Sequence, residues 1–249
     1  MNPESCIARE VFGSALVIRI VNPKRKNALN VDIYEDLMAS LEFADKDDGI
    51  KSVILTGSDQ FFCSGHDLDD FINNPIENER HPVFQFMLTL SQFGKPVIAA
   101  VEGFAVGIGS TMLLHCDLVY AGRSSFFQMP FTSLGLCPEF AATFVIPQTA
   151  GHRIASELLI LGRRFSAERF REAGFINEIT EDGGACKLAL ERASEIEKMS
   201  SISVVTTKKL IKEKLNSDTQ ASMREELLCL IELLGAADFE SRLNNINKE

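Results

Sequence analysis

Residues 96–111 read PVIAAVEGFAVGIGST, and the reading of this stretch decides the fold. Pro96 to Val101 is a short apolar run of the kind that forms a buried strand, and Gly94, Lys95 and Pro96 close a helix before it. Gly103, Gly107 and Gly109 then turn the chain into a helix that starts near Gly109. Working outward, Ala15–Val21, Ser52–Thr56 and Cys116–Ala121 carry the same strand signature. Strands that are apolar at nearly every position are covered on both faces, as in a parallel sheet clothed by helices. Asn30 is placed to cap a helix with Ile33, Leu37 and Leu41 on one face, and Ser166 to cap a short one that Gly174 ends. From Gly183 onward the strands stop. Ala185–Met199, Val204–Leu215 and Thr219–Leu234 have helical periodicity, and Asp238–Asn245 adds a turn or two. The expected class is α/β, a βα core followed by an all-helical tail of roughly sixty residues. The tail's Leu and Ile face must pack on its own body or on a neighbour.

Composition narrows the function. The 249 residues are 45% hydrophobic and 24% charged, which is ordinary for a packed domain and wrong for a disordered chain. The net charge of −10 disfavours general nucleic-acid binding. There are 18 Phe, 2 Tyr and no Trp, so the aromatics are fillers of core and of an apolar pocket. The six cysteines have no CxxC pair, and the four histidines show no ligand spacing. Free thiols in a reducing compartment and no metal site are expected. No apolar run is long enough to span a membrane, MNPESCIARE has no leader-like apolar region, and NNINKE is not a peroxisomal address. A cytoplasmic location is the expectation.

Three segments carry candidate chemistry. In Phe61-Phe62-Cys63-Ser64-Gly65-His66-Asp67-Leu68, after the turn Thr56-Gly57-Ser58-Asp59, Gly65 permits an unusual backbone angle. The His66 N–H can then face a cleft; the plainer reading is a strand-to-helix turn with Asp67 as cap. A Cys63–His66 thiol nucleophile is a weak third reading, lacking an orienting partner. In residues 101–111, the N–H groups at the helix start suit an oxygen that becomes negative. A dinucleotide fingerprint fails because Met112 stands where its third glycine belongs. In Ser133–Thr143, Pro138 and Glu139 look like the first two positions of a helix, where the dipole alone favours a carboxylate. Phe126, Phe127, Phe131, Phe140 and Phe144 lie close in sequence, however, and such surroundings raise a carboxyl pKa toward that of a general base. Lys24, Arg25 and Lys26 are either solvated charge or a local phosphate site.

Taken in order, these segments resemble the enoyl-CoA hydratase/isomerase (crotonase) family over nearly the whole chain. Asn22–Leu29 resembles its first loop, Phe62–Leu68 its first oxyanion loop, and Pro96–Gly109 with Cys116-Asp117 its second. Gly162–Glu168 and Ala173–Ile176 resemble its later strand–helix signature. The resemblance implies a crotonase-like ββα spiral core over 1–195 and a C-terminal helical trimerisation segment over 196–249. It implies an acyl-CoA thioester as partner, a homotrimer or dimer of trimers, and no cofactor beyond the coenzyme A of the substrate. The backbone N–H groups of His66 and Ile108 would hold the thioester oxygen. Lys24, Lys26, Ala28, Ser64, Gly65, Asp67, Leu68, Gly107, Phe131 and Leu134 would contact substrate.

The departures point to the reaction. Where hydratases of this family carry two glutamates, this chain has Thr111 and Phe131, and neither activates water at neutral pH. Glu139 remains, in a segment similar to the peroxisomal-type Δ3,Δ2-enoyl-CoA isomerases, which keep one glutamate there. One carboxylate suffices to move a proton from C2 to C4 through an enolate, and a dry pocket of Phe131, Leu134 and Phe140 helps. Glu157, the other nearby carboxylate, reads as structural. A hydratase using Glu139 alone and a non-catalytic acyl-CoA-binding homologue are the alternatives.

Overall fold

The structure, a computed structural model, describes residues 6–58 and 60–246. Asp59 of the expected turn, and residues 1–5 and 247–249, on which the expectations about leader and address partly rest, lie outside these. The chain runs β1 (Ile7–Phe12), β2 (Ala15–Ile20), α1 (Val31–Lys46), β3 (Ser52–Thr56), α2 (Leu68–Asn73), α3 (Pro82–Gln92), β4 (Val97–Val101), β5 (Phe104–Val106) and α4 (Ile108–Thr111). It continues through β6 (Leu118–Gly122), β7 (Phe126–Gln128), α5 (Ala142–Leu159), β8 (Phe165–Ser166), α6 (Ala167–Glu172), β9 (Glu178–Thr180), α7 (Ala185–Glu197), α8 (Ser201–Leu234) and α9 (Ala237–Ile246).

The large sheet has the order β1-β2-β3-β4-β6-β9, with β1 antiparallel to β2 and the other pairs parallel. A small sheet, β5-β7-β8, lies beside it. The path alternates between the two. β4 leads to β5 and then α4, and β6 leads to β7 and then α5. β3 leads to the run around Cys63, which bridges to Ala105 of β5, and then to α2. These three ββα turns are the expected crotonase-like spiral.

The period of two explains why the parallel strands are apolar throughout. Leu16, Ile18, Val53, Leu55, Val97, Ala99 and Val101 face the main core, which α1, α3 and α5 help to close. Val17, Ile54, Ile98 and Ala100 face the other way, onto Ala185, Leu188, Ala189 and Ala193 of α7. The Asn30 side chain accepts from the Ile33 N–H to cap α1, and Ser166 caps α6 by accepting from Arg169.

Two expectations change. The helices read as Val204–Leu215 and Thr219–Leu234 are one continuous α8, because Asn216, Ser217 and Asp218 include no Gly or Pro to break it. Pro138 and Glu139 are not a helix start, because Phe140 and Ala141 take φ of +63° and +55° and α5 begins at Ala142. On α8, Met223, Leu227 and Leu230 are buried on the body, whereas Ile202, Leu210, Ile211 and Leu228 are exposed. No helix among the described residues is long and apolar enough to cross a membrane.

Candidate active site

Two loops run side by side because their strands pair. Phe62 and Cys63 donate their N–H groups to Phe104 O, and Val106 N–H donates to Cys63 O at 2.9 Å. Each loop then bends at a glycine with positive φ, Gly65 at +104° and Gly107 at +54°. A Cβ on Gly65 would stand 3.1 Å from Val106 O, a tight contact that together with the positive φ disfavours a side chain there. On the far side, Leu29 N–H donates to Gly65 O and Leu29 O accepts from Asp67 N–H. That pairing leaves the intervening N–H of His66 unclaimed by any described group. The N–H of Ile108, first residue of α4 after Gly107, is likewise unclaimed.

His66 and Ile108 both line a cavity of about 220 Å³. So do Ser64, Leu68, Gly107, Phe131, Leu134 and Glu139, six more of the residues singled out from the sequence. The other predicted contacts lie outside its lining. Ala28 is buried beside Leu29, and Gly65 sets the turn. Asp67 caps α2 by accepting from Asp69 N–H. Lys24 and Lys26 are exposed and form no ion pair among the described residues, whereas Arg25 pairs with Asp69 at 2.7 Å and Asp67 at 3.5 Å. The basic triplet is thus reduced to two free charges at most. Ser64 Oγ donates to Arg25 O, which tethers this loop to the loop over residues 63–67.

Glu139 sits on the cavity wall, 6% exposed. Its Oε1 accepts a short hydrogen bond from Thr111 Oγ1. Its Oε2 is buried and has no hydrogen-bond partner among the described residues. Burial pushes its pKa up to about 8; the Thr111 bond opposes this and the nearby Glu226 adds to it. Of the expected phenylalanine cluster, only Phe131 lines the cavity with Glu139. Phe140 stacks behind it on His115, with ring centroids 4.2 Å apart. Phe126 and Phe127 are strand residues of the small sheet, Phe126 tilted against Phe104 and Phe127 stacked on Phe170, so their neighbours are set by β7 pairing and not by sequence distance.

The remaining candidates resolve as follows. His66 Nδ1 meets Tyr34 Oη at 3.1 Å, and its Nε2 lies 3.4 Å from Asp70. Burial holds this imidazole down at about 3, so it is neutral. The Cys63 thiol is buried and pushed up to about 12, and no hydrogen bond joins it to His66. Glu157 pairs with Arg169 at 2.5 Å, away from the cavity lining. Among the described residues no group of three or more His, Cys, Asp or Glu is placed to hold a metal ion.

Sequence reasoning missed the wall that comes from distant helices: Tyr34 on α1, Phe71 on α2, Val83 and Met87 on α3, and Leu230 on α8. It also missed Asn27, whose Nδ2 donates to Phe61 O and Phe62 O at 3.2 Å. Glu226 was missed too, although a sequence signal exists. It falls on the stripe Thr219, Met223, Leu227, Leu230, where every other member is buried.

Residues 10–243 match the family model described as enoyl-CoA hydratase/isomerase. The chain belongs to that family. Among curated relatives, the 1,2-epoxyphenylacetyl-CoA isomerase of Escherichia coli is 31% identical over 88% of this chain and 87% of its own. The 2,3-dehydroadipyl-CoA hydratase of the same organism is 29% identical over 85% and 83%. The human enoyl-CoA delta isomerase 2 is 32% identical over 82% of this chain and 53% of its own. Among solved structures, Pseudomonas aeruginosa OdaA has a TM-score of 0.96 at 36% identity, covering 99% of this chain and 100% of that one. The family therefore includes both isomerases and hydratases at similar distance from this chain.

Proposed function

We propose that the protein is a Δ3,Δ2-enoyl-CoA isomerase with Glu139 as its single acid–base group. The observation that carries this reading is one buried carboxyl, with an unpartnered oxygen, in an apolar cavity that also receives two unclaimed backbone N–H groups. The acyl-CoA thioester oxygen would accept from the N–H groups of His66 and Ile108. Glu139 removes a proton from C2, and the negative charge moves onto that oxygen as a dienolate. Each donor in such a hole contributes ~2.7–4 kcal/mol to the transition state. Glu139 then returns the proton at C4, so the double bond moves from C3–C4 to C2–C3. No electrons leave the substrate and no water is consumed, so the reaction needs no cofactor. Phe131 and Leu134 keep water from the dienolate.

A Glu139 pKa of about 8 suits a group that must both take and give a proton near neutrality. Hydration would need a second group to prepare the water, and Thr111, whose hydroxyl is spent on Glu139, supplies none. The 2,3-dehydroadipyl-CoA hydratase among the relatives favours hydration as the second reading. Assay of the parent and Glu139→Gln with 3-enoyl-CoA and with crotonyl-CoA separates them. Isomerase turnover lost in Glu139→Gln, with no hydratase activity in the parent, is the expected result. Hydration of crotonyl-CoA by the parent would establish the second reading. Tight binding of CoA esters without turnover would leave a non-catalytic binding protein.

A further inference from the structure

The loop carrying Glu139 is gripped from outside. Phe140 and Ala141 hold left-handed φ angles, which non-glycine residues adopt only at an energetic cost. Something must hold them there. His115 Nε2–H donates to Phe140 O at 2.7 Å while its ring lies on the Phe140 ring. From α8, the Glu226 carboxylate accepts from Ala141 N–H at 2.6 Å, Thr143 N–H at 2.9 Å and Thr143 Oγ1–H at 2.6 Å. These N–H groups belong to the unsatisfied start of α5, so Glu226 caps that helix from a distant part of the chain. Glu226 is itself buried, and all its side-chain bonds here go to this one turn.

We infer that Glu226 is the positioning residue for Glu139: by capping the start of α5 it holds the Phe140–Ala141 turn left-handed and so keeps the Glu139 carboxyl on the cavity wall. The inference rests on Glu139 being the acid–base group. A cap that serves stability alone would predict the same bonds, so the two roles are separated by what happens to the chemistry. The groups around the Glu139 carboxyl are Thr111 from α4, Tyr34 from α1, Cys63 and Cys137 from the loops, and Glu226 from α8. Burial pushes Tyr34, Cys63 and Cys137 up, so they are neutral, and holds His115 down at about 3, neutral as well. Glu225, beside Glu226 on α8, is exposed, and Lys212 is bonded to His115 O. Glu226, itself pushed up to about 7 by burial, is thus the neighbour whose negative charge, once it ionises, adds to the upward push that burial gives Glu139.

The test uses parent, Glu226→Gln and Thr143→Val. It combines steady-state isomerisation of 3-enoyl-CoA from pH 6 to 10, thermal unfolding, and 13C NMR titration of Glu139, assigned by the signal lost in Glu139→Gln. In Glu226→Gln the amide faces the Ala141 N–H, donor against donor. A loss of about 10- to 100-fold in kcat with KM changed less than about 2-fold is expected, as for a displaced catalytic group. The alkaline-rising limb of kcat and the NMR midpoint of Glu139 both move to lower pH, since a neighbouring negative charge is gone. Thr143→Val loses one bond to Glu226 and drops kcat about 3-fold, which carries the test if Glu226→Gln does not fold. Unchanged kcat and limb in a folded variant of lowered Tm would overturn the inference and leave Glu226 a helix cap. If the parent fails to isomerise 3-enoyl-CoA, the isomerase reading falls. The Glu139 signal at pH 5, where both carboxyls are protonated and no charge is lost, then decides: a shifted signal in folded Glu226→Gln supports displacement of the Glu139 carboxyl, and an unchanged one overturns the inference.

Discussion

Replacing Glu139 by glutamine does more than remove the proposed acid–base group, because it also removes a titration that opposes folding. Burial pushes the folded Glu139 carboxyl up to about 8 from an ordinary value of 4.5. In the unfolded chain the group ionises above about 4.5, whereas in the folded protein it stays protonated until about 8. The folded state therefore holds more protons across that window, so stability falls as pH rises through it and levels off above. At 1.36 kcal/mol per unit, the full window amounts to about 5 kcal/mol, of which about 4 kcal/mol falls between pH 5 and pH 9. The Glu139→Gln variant has no such titration. Urea unfolding of parent and variant at pH 5 and pH 9, at one protein concentration, measures the difference. The parent is expected to lose about 4 kcal/mol more than the variant between the two pH values. The buried Glu226 titrates in both proteins, so its contribution largely cancels in the difference. Equal losses would show that Glu139 is not held neutral by its surroundings, and the tuning argument for its chemistry would fail.

Other outcomes follow from the same contacts. The kcat of the parent should rise with pH to a midpoint near 8, because only the ionised Glu139 accepts a proton; a flat profile from pH 6 to 9 would contradict this. Thr111→Val removes the hydrogen bond that favours the ionised form, so this midpoint should move further up and the rate at pH 7 should fall. Gly65→Ala puts a Cβ 3.1 Å from Val106 O at a φ of +104°, so denaturant melts should show a loss of ~1–2 kcal/mol or more. If the His66 N–H is an oxyanion donor, the same variant should lower kcat by ~10²–10³. Lys208→Met removes the nearer of the two lysines that pair with Asp117 (2.7 Å) and leaves Lys212 at 3.8 Å and the Val97 N–H as partners, so it is expected to destabilise by ~1.5–3 kcal/mol in the same melts.

The sheet was legible where the physics is local. SVILT and VIAAV are buried on both faces, and their β-branched, unbroken apolar character says so without reference to the rest of the chain. The caps Asn30 and Ser166 were legible for the same reason. Strand β1 was not, because Ala8 to Phe12 are exposed at the sheet edge and IAREVF has no buried face to read. The turn at Phe140–Ala141 was not legible either. Neither residue is a glycine, and the groups that hold it, His115 and Glu226, come from elsewhere in the chain. The two glycine bends at the cavity were legible as bends, but their mutual approach depends on pairing between Cys63 and Ala105. The basic triplet was legible as charge but not in its pairing, because a run of like charges says nothing of what faces it, and Asp67 and Asp69 take up Arg25.

The central claim is that one carboxyl carries the proton from C2 to C4 in a cavity that keeps water out. The most direct measurement follows 3-enoyl-CoA deuterated at C2 through the reaction in ordinary water, with the label located in the product by NMR or mass spectrometry. Formation of 2-enoyl-CoA with a substantial share of the deuterium at C4, and its loss in Glu139→Gln, is the predicted result. A 3-hydroxyacyl-CoA product, or isomerisation that persists in Glu139→Gln, would contradict it.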